Sequence, residues 1–333
     1  MSTATMRALV LESANTPFVA REIARPVAGP GQVLVEIAAS GVNPLDTKIR
    51  AGAAAHARHP LPAVLGMDLA GVVRAVGAGV DRFRVGDEVH GLTGGVAGLQ
   101  GSLAQFAAVD ADLLAHKPAN LSMREAAALP LIVITAWEGL VDRAHVQAGH
   151  QVLVHGGAGG VGHVAVQIAK AFGAEVWATV SPAQFEIARR FGATPIDHTT
   201  STVDDYVAQH TGGLGFDVIY DTVGGPVLDA SFRAARTYGG HVVSALGWGT
   251  HALAPLSFRA ATYSGVFTLL PMLTGQGRAR HGQILEQAAK LVEGGRLAPR
   301  MDERRYTLAT ALEAHDEVAA GRARGKIVVD VRG

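Results

Sequence analysis

The segment of residues 151–181, QVLVHGGAGGVGHVAVQIAKAFGAEVWATVS, restricts the possible folds of this chain most strongly. Residues 152–154 are apolar and predict a buried strand. The apolar spacing of residues 161–172 predicts a helix, and residues 175–180 predict a second strand. A strand, a glycine-rich turn, a helix and another strand form the repeating unit of a parallel α/β sheet.

Three glycines of this turn, Gly157, Gly159 and Gly162, follow the G-x-G-x-x-G spacing. Such glycines permit a tight turn, close approach of the backbone to a pyrophosphate, and close packing of helix on strand. The following helix directs free N–H groups and a positive dipole end at the phosphates. A glycine-rich loop also occurs in unrelated α/β proteins, but this strand–helix–strand context favours a dinucleotide site. The residues predicted to hold the pyrophosphate are Gly156, Gly157, Ala158, Gly159, Gly160, Val161 and Gly162.

The end of the second strand bears on the choice of cofactor. Folds that select NAD usually carry Asp or Glu about twenty residues beyond the glycine turn, where it binds the ribose 2′-hydroxyl. Residues 178–185 contain no carboxylate, and Thr179 and Ser181 can donate hydrogen bonds to a 2′-phosphate. Arg189 or Arg190 could add positive charge, or both could be solvated helix residues. We therefore expect NADPH as the cofactor.

Composition limits the function classes. The chain has 333 residues, of which 48% are hydrophobic and 17% charged, which suits a folded enzyme of two domains. With 29 basic and 29 acidic residues, no net charge attracts nucleic acid or anionic lipid. The absence of cysteine excludes disulfides and thiolate chemistry. No secretory signal or membrane span is recognisable, so we expect a cytoplasmic protein.

Residues 6–120 read as a β-rich domain, because short strands alternate with glycine and proline turns. Ser122 and Glu125 then fit a capping box that opens an alanine-rich helix, and a second helix is expected at residues 135–143. Strands and helices alternate after residue 150, which predicts a doubly wound parallel sheet. The last strand, residues 326–331, needs a partner and is expected to return to the first domain.

Six stretches carry a resemblance that covers nearly the whole chain: VLVEIAASGVNPLDTKIRAG, LPAVLGMDLAGVVRAVGAGVDRFRVGDEV, ITAWEGL, VLVHGGAGGVG, FDVIYDTVGG and GKIVVDV. Together they resemble the medium-chain dehydrogenase/reductase superfamily, and most closely its zinc-independent quinone oxidoreductase branch. The resemblance implies an α/β fold with a GroES-like catalytic domain (residues 1–124 and 267–333) and a Rossmann domain (residues 125–266). It also implies a homo-oligomer, either a homodimer or a homotetramer.

The residues at the family's metal positions argue against zinc. The zinc-dependent relatives carry ligands where this chain has Asn43, Met67 and Leu131. Catalytic zinc needs three nitrogen, sulfur or oxygen ligands from the protein and an open position, which these residues do not supply. His56 and His59 lack a carboxylate at metal spacing, so a surface role is expected for them. We predict no bound metal.

Without a Lewis acid, hydride transfer favours an activated acceptor, namely a quinone or an α,β-unsaturated carbonyl. Asn43 is the leading polar group beside the acceptor, although it could equally be a turn residue before Pro44. Asp46 is expected to cap the next helix. Lys48 replaces a tyrosine of the quinone oxidoreductases and could stabilise an oxyanion or be solvated, which weakens the assignment to quinones.

The resemblance and the strand ends suggest further cofactor contacts. Thr135 resembles a residue beside the nicotinamide, and His198 matches an aromatic near the 2′-phosphate. Two alternatives to the reductase remain: a non-catalytic, crystallin-like NADPH-binding protein, and a disfavoured zinc alcohol dehydrogenase. The other candidate cofactor contacts are Thr222, Val223, Leu246, Gly247, Phe267, Thr268, Leu269, Arg324 and Lys326, of which the last two could be solvent-exposed.

Overall fold

The computed structural model describes residues 4–332. The strands in this part of the chain are β1 (Thr5–Leu11), β2 (Val19–Ala24), β3 (Gln32–Gly41), β4 (Ala63–Val64), β5 (Asp68–Val76), β6 (Glu88–Leu92), β7 (Phe106–Asp110), β8 (Leu114–His116), β9 (Gln151–His155), β10 (Glu175–Val180), β11 (Thr194–Asp197), β12 (Val218–Asp221), β13 (His241–Ser244), β14 (Thr262–Gly265), β15 (Tyr306–Thr307) and β16 (Val328–Asp330).

The α-helices are of widely differing length, and none in the described range is long and apolar enough to cross a bilayer. A π-helical turn, Glu138–Arg143, continues the third helix. The helices are α1 (Pro44–Arg50), α2 (Met123–Ala127), α3 (Pro130–Trp137), α4 (Gly160–Ala171), α5 (Phe185–Arg190), α6 (Val203–Thr211), α7 (Pro226–Ala234), α8 (Ala254–Ser257), α9 (Leu270–Thr274), α10 (Arg278–Glu293) and α11 (Ala311–Ala319).

The chain divides into two compact units. Unit 1 comprises residues 1–131, 269–294 and 299–333, and unit 2 comprises residues 132–268 with residues 295–298. The sequence placed the boundaries after residues 124 and 266. In the structure, the first boundary falls inside α3, after residue 131, and residues 295–298 also belong to unit 2.

Unit 1 is built on two sheets whose strands pair antiparallel, except for the parallel pair of β15 and β16. Its larger sheet has the order β15-β16-β3-β5-β6-β8, with β7 paired to β3, and a smaller sheet has the order β2-β1-β4. Val33, Val35 and Ile37 of β3 are fully buried, because alternate side chains of a strand point to the same face. The terminal strand β16 pairs with β3. This pairing confirms the predicted return of the chain's last strand to the first domain.

Unit 2 is the predicted doubly wound parallel sheet. Its order is β11-β10-β9-β12-β13-β14, so the first strand in sequence lies in the middle and the order reverses between β9 and β12. In such sheets ligands bind beyond the carboxyl ends of the strands at the point of reversal. Leu153, Phe216, Ile219 and Val242 are buried in the core of this unit.

Some predicted elements were wrong at their ends. The helix expected at residues 135–143 begins at Pro130, because proline suits the first helical position, and its second half is the π-helical turn. A Cβ on Gly139 would lie 2.4 Å from the Tyr220 ring, so this turn packs closely on β12. The edge strand β2 was not predicted, because its side chains are mostly exposed and give no apolar pattern.

Candidate cofactor site and a buried polar cluster

The glycine turn after β9 is shaped by close backbone contacts within unit 2. A Cβ on Gly157 would lie 2.4 Å from the Cβ of Ala178, and a Cβ on Gly162 would lie 2.1 Å from the Gly156 carbonyl oxygen. Gly156 has a φ of 69°, which favours glycine. The three positions therefore require glycine for different reasons: one for φ, one for packing against β10 and one for closeness to the turn.

Helix α4 begins at this turn without a side-chain cap. Its N-cap is Gly159, which has no side chain to accept from the first N–H groups, and both Gly159 and Gly160 are exposed. Uncapped N–H groups at a helix N-terminus carry partial positive charge and suit an anion. The turn thus fits the pyrophosphate of a dinucleotide by its shape and by its free donors.

His155 and Thr179 connect the ends of the first two strands of unit 2. The Nδ1 atom of His155 lies 3.0 Å from the Thr179 hydroxyl, and Thr222 donates a 2.6 Å hydrogen bond to the His155 carbonyl oxygen. Burial lowers the pKa of His155 to about 4, so its ring is neutral near pH 7. Thr179, predicted to contact the 2′-phosphate, is buried and engaged with this ring.

Asp221 organises the loop that follows β12. Its Oδ1 accepts hydrogen bonds from the backbone N–H groups of Val223 at 3.0 Å and Gly224 at 2.9 Å. Its Oδ2 accepts one from the Ser244 hydroxyl at 2.7 Å. Asp221 and Ser244 are fully or almost fully buried, whereas Val223 is 48% exposed. Asp221 therefore holds the base of the loop, and the loop's tip at Val223 is exposed to solvent. Sequence reasoning missed Asp221, although a carboxylate directly after a predicted apolar strand was a usable signal.

The structure brings most predicted cofactor residues together at one edge of unit 2. The glycine turn and Thr179, Ser181, His198, Thr222, Val223, Leu246 and Gly247 all lie at or after the carboxyl ends of parallel strands. Phe267 and Thr268 follow the edge strand β14, and the Thr268 hydroxyl lies 2.9 Å from that of Thr135. Leu269, Arg324 and Lys326 belong to unit 1.

A buried polar cluster occupies unit 1 around Asn43. Its Nδ2 donates a 2.8 Å hydrogen bond to Oδ2 of Asp68, and its Oδ1 accepts one from the ammonium of Lys326. Lys326 also donates to the Val42 carbonyl oxygen at 3.1 Å, and Leu131 N–H donates to Oδ1 of Asp68 at 2.9 Å. Lys326 is only 5% exposed, so the solvated alternative for this lysine is wrong. Sequence reasoning also missed Asp68.

Helix α1 starts at this cluster. Asn43 is its N-cap, and the backbone N–H of Asn43 donates a 2.8 Å hydrogen bond to Oδ2 of Asp46. The predicted capping role of Asp46 is thereby confirmed. Lys48 lies on the same helix and is exposed. Asn43 does occupy the turn position before Pro44, and its contact with an acceptor stays a prediction.

The ionisable groups of the cluster are desolvated. Burial raises the pKa of Asp68 to about 6, against the opposing effect of the Lys326 ammonium. Burial raises the pKa of Asp46 to about 7, although the backbone N–H of Asn43 stabilises its carboxylate. Burial lowers the pKa of Lys326, and the two carboxylates oppose this effect. Two buried acids therefore face one buried ammonium.

The donor atoms at the family's zinc positions do not suit zinc in this chain. The Asn43 amide and the Leu131 N–H both donate to Asp68, and Met67 is fully buried. Between residues 4 and 332, no three His, Cys, Asp or Glu side chains are grouped as a metal site. No metal step is derived for this chain.

Unit 2 has the strand order and glycine turn of a nucleotide-dependent oxidoreductase. Residues 29–119 match the family model described as an alcohol dehydrogenase GroES-like domain, and residues 191–329 match the one described as a zinc-binding dehydrogenase.

Individual relatives support the same conclusion. The chain is similar to a 2-methylene-furan-3-one reductase of Solanum lycopersicum, with 37% identity over 317 residues, 92% of this chain and 74% of the relative. It is 35% identical over 307 residues to an NADPH-dependent alkenal/one oxidoreductase of the Arabidopsis thaliana chloroplast, over 90% of this chain and 72% of the relative. It is 36% identical over 308 residues to the polyketide synthase protein NorB of Streptomyces orinoci, and the match covers 92% of this chain but only 13% of NorB.

Among solved structures, a crystal structure of an alcohol dehydrogenase superfamily protein from Novosphingobium aromaticivorans has a TM-score of 0.96 and 62% sequence identity, over 98% of this chain and 100% of that chain. The chain therefore belongs to the medium-chain dehydrogenase/reductase superfamily, whose members are pyridine-nucleotide-dependent oxidoreductases.

Proposed function

We propose that this chain is an NADPH-dependent, zinc-independent reductase of carbon–carbon double bonds conjugated to a carbonyl. The observation that carries the proposal is the glycine turn of unit 2, whose uncapped helix start and tightly packed glycines fit a pyrophosphate. Of the relatives described above, one is named as a 2-methylene-furan-3-one reductase and another as an NADPH-dependent alkenal/one oxidoreductase.

NADPH is preferred over NADH on charge grounds. The segment after β10, where a carboxylate would repel a 2′-phosphate, contains Ser181 and no acid up to residue 185. Ser181 is partly exposed, and its hydroxyl is 3.5 Å from Gln184 Oε1, a long contact that a phosphate can replace. When bound, the reduced nicotinamide supplies a hydride.

The acceptor is proposed from the chemistry that the protein side chains supply. Without a suitable zinc set, a simple ketone lacks a strong polarising group, whereas a conjugated acceptor spreads the developing charge over its carbonyl oxygen. Hydride adds to the β-carbon, and a proton completes the α-carbon. We propose that the side-chain amide of Asn43 donates a hydrogen bond to that oxygen. We propose that Lys48 adds positive charge.

We also propose self-association as a homodimer or homotetramer. Strand β14 forms one edge of the unit 2 sheet, and within the described chain it pairs on one side only. An open strand edge can pair with the same edge of a second copy. Light scattering of the purified protein measures the mass, and a monomer at micromolar concentration would contradict this proposal.

Fluorescence titration with NADPH and NADH tests the cofactor, and turnover tests the acceptor. The panel contains 2-alkenals, 3-buten-2-one, a methylene-furanone, 1,4-benzoquinone, and acetone with 2-propanol as the unconjugated pair. We expect tighter binding of NADPH and turnover of the enals and enones. Binding without any turnover would support the non-catalytic alternative. Oxidation of 2-propanol with stoichiometric zinc in the protein would support an alcohol dehydrogenase.

A further inference from the structure

We propose that Lys326 and Asp68 are positioning residues that hold the side-chain amide of Asn43 in one orientation for the reaction. The proposal rests on the proposed function for its kinetic consequence, but its geometry is independent of it. The three residues come from the N-cap of α1, from β5 and from the segment before β16, and all are at least 95% buried.

The amide has only one orientation that satisfies both neighbours. An ammonium only donates and a carboxylate only accepts, so Oδ1 of Asn43 must face Lys326 and Nδ2 must face Asp68. Rotating the amide by 180° would place Oδ1 against the carboxylate and the N–H groups against the ammonium. A freely rotating amide would have no such preference. The two charges therefore determine which way the Oδ1 and Nδ2 ends of the Asn43 amide face.

The charges of Lys326 and Asp68 are not needed to fill the interior of unit 1 around Asn43. An ammonium and a carboxylate lose their hydration when they are buried, and apolar residues of similar volume are often equally or more stabilising. Lys326 Nζ and Asp68 Oδ2 lie 4.0 Å apart and both contact the amide, rather than forming a direct short pair. Burying these two charges therefore reduces the free energy of unfolding, but each charge holds one end of the Asn43 amide. We call Lys326 and Asp68 together the clamp.

A different role for Lys326 gives a different experimental result. The sequence placed it among the cofactor contacts, where its loss would weaken NADPH binding. If Lys326 instead belongs to the clamp, its loss should leave the Kd for NADPH unchanged and lower kcat, because the Asn43 amide then donates in the wrong direction. The Kd for NADPH, measured by fluorescence, therefore separates the two roles without any turnover.

The variants are Asn43→Ala, Lys326→Met, the double variant of both, and Lys290→Met as a control lysine exposed on α10 of the same unit. We expect Asn43→Ala and Lys326→Met each to lower kcat for an enone about 10- to 100-fold, the scale of a misplaced catalytic contact. The double variant should lose no more than either single variant, because the two residues act as one unit. Lys290→Met should behave as the unaltered protein.

Lys326→Met leaves Asp68 without its cation and could unfold the protein. A second pair, Lys326→Met with Asp68→Asn, removes both charges together and should melt at a higher temperature than Lys326→Met alone. It should still show the reduced kcat. If the unaltered protein turns over no acceptor, the proposed function fails, but the clamp can still be tested by NMR. The hydrogens of the Asn43 side-chain NH₂ should exchange slowly with solvent in the unaltered protein. They should exchange quickly in the charge-free pair, Lys326→Met with Asp68→Asn.

Three results would overturn the clamp. They are a weakened Kd for NADPH with kcat preserved at saturation in Lys326→Met, additive losses in the double variant, and unchanged exchange of the Asn43 NH₂ in the charge-free pair. The first would return Lys326 to the cofactor site. The other two would show that the amide is oriented without these charges.

Discussion

The hydroxyl of Ser244 donates a 2.7 Å hydrogen bond to the carboxylate of Asp221, and so connects the carboxyl ends of two adjacent strands, β12 and β13. The other oxygen of the same carboxylate binds two backbone N–H groups of the following loop. One side chain thus determines the path of the loop that carries Thr222 and Val223.

We expect Asp221→Ala to weaken NADPH binding about tenfold or more and to destabilise unit 2. The substitution leaves two backbone N–H groups and the Ser244 hydroxyl without their acceptor, and each unpaired buried group costs about 1–3 kcal/mol. Fluorescence titration and urea unfolding measure the two effects. Asp229→Ala, at an exposed site on α7, is the control. Unaltered binding in Asp221→Ala would show that the loop does not contact the cofactor.

A second prediction concerns Gly157. Gly157→Ala places a methyl group 2.4 Å from the Cβ of Ala178, so the turn and β10 must separate, at a cost of about 1–3 kcal/mol for an overpacked site. NADPH binding should weaken as the turn shifts. Gly239→Ala is the matched control, because its new Cβ meets no atom within 4 Å. Equal melting temperatures and affinities for the two variants would contradict this account of the turn.

A third prediction concerns cofactor choice. Ser181→Asp puts a carboxylate directly after β10, where it should repel a 2′-phosphate and accept from a ribose hydroxyl. The ratio of kcat/KM for NADPH over NADH should fall at least tenfold. Thr194→Asp adds the same charge at the amino end of β11, whereas Ser181 follows the carboxyl end of β10. This control should leave the ratio unchanged. A ratio that also stays constant in Ser181→Asp would place the 2′-phosphate elsewhere.

The fold was predictable where the apolar pattern was regular. β10 was located to the residue, and the capping box of Ser122 and Glu125 does open a helix, with Glu125 Oε2 2.9 Å from the Ser122 N–H. The start of α3 was not predictable in the same way, because Pro130 reads as an interruption and only the observed helix shows it as a first position. The edge strand β2, VAREIA, has Arg21 and Glu22 at its centre, so its apolar residues do not alternate as in a half-buried strand.

The candidate site was predictable as a set of strand ends, but not as a network. The glycine spacing and the missing carboxylate after β10 are local patterns. The partners of Lys326 are 258 and 283 residues away, so no spacing rule could indicate that this lysine is buried against Asp68 and Asn43. Likewise, the hydrogen bond of Ser244 to Asp221 follows only from the parallel register.

A fourth prediction concerns acid stability. Burial lowers the pKa of His315 to about 3, while an unfolded histidine has a pKa of about 6.5. Below about pH 6.5 the unfolded chain takes up a proton that the folded chain does not. This histidine therefore reduces the free energy of unfolding by about 1.4 kcal/mol per pH unit as the pH falls towards 3, and contributes nothing above pH 7.

His315→Leu should make the free energy of unfolding less sensitive to acid between pH 6.5 and 4, as measured by urea unfolding at a series of pH values. Asp46 and Asp68 act in the opposite direction, since a raised folded pKa makes stability fall as the pH rises from about 4 towards 7. The comparison of variant with unaltered protein removes their contribution. The exposed His116→Leu is the control, and identical slopes for His315→Leu would refute the prediction.

The pairing of β16 with β3 has a consequence for synthesis on the ribosome. Unit 2 occupies an almost uninterrupted stretch of chain, whereas unit 1 needs residues near both ends before its main sheet is complete. During translation, unit 2 can fold before β16, which pairs with β3, has been synthesised. A stop codon just before β16 would therefore damage the unit whose synthesis began first.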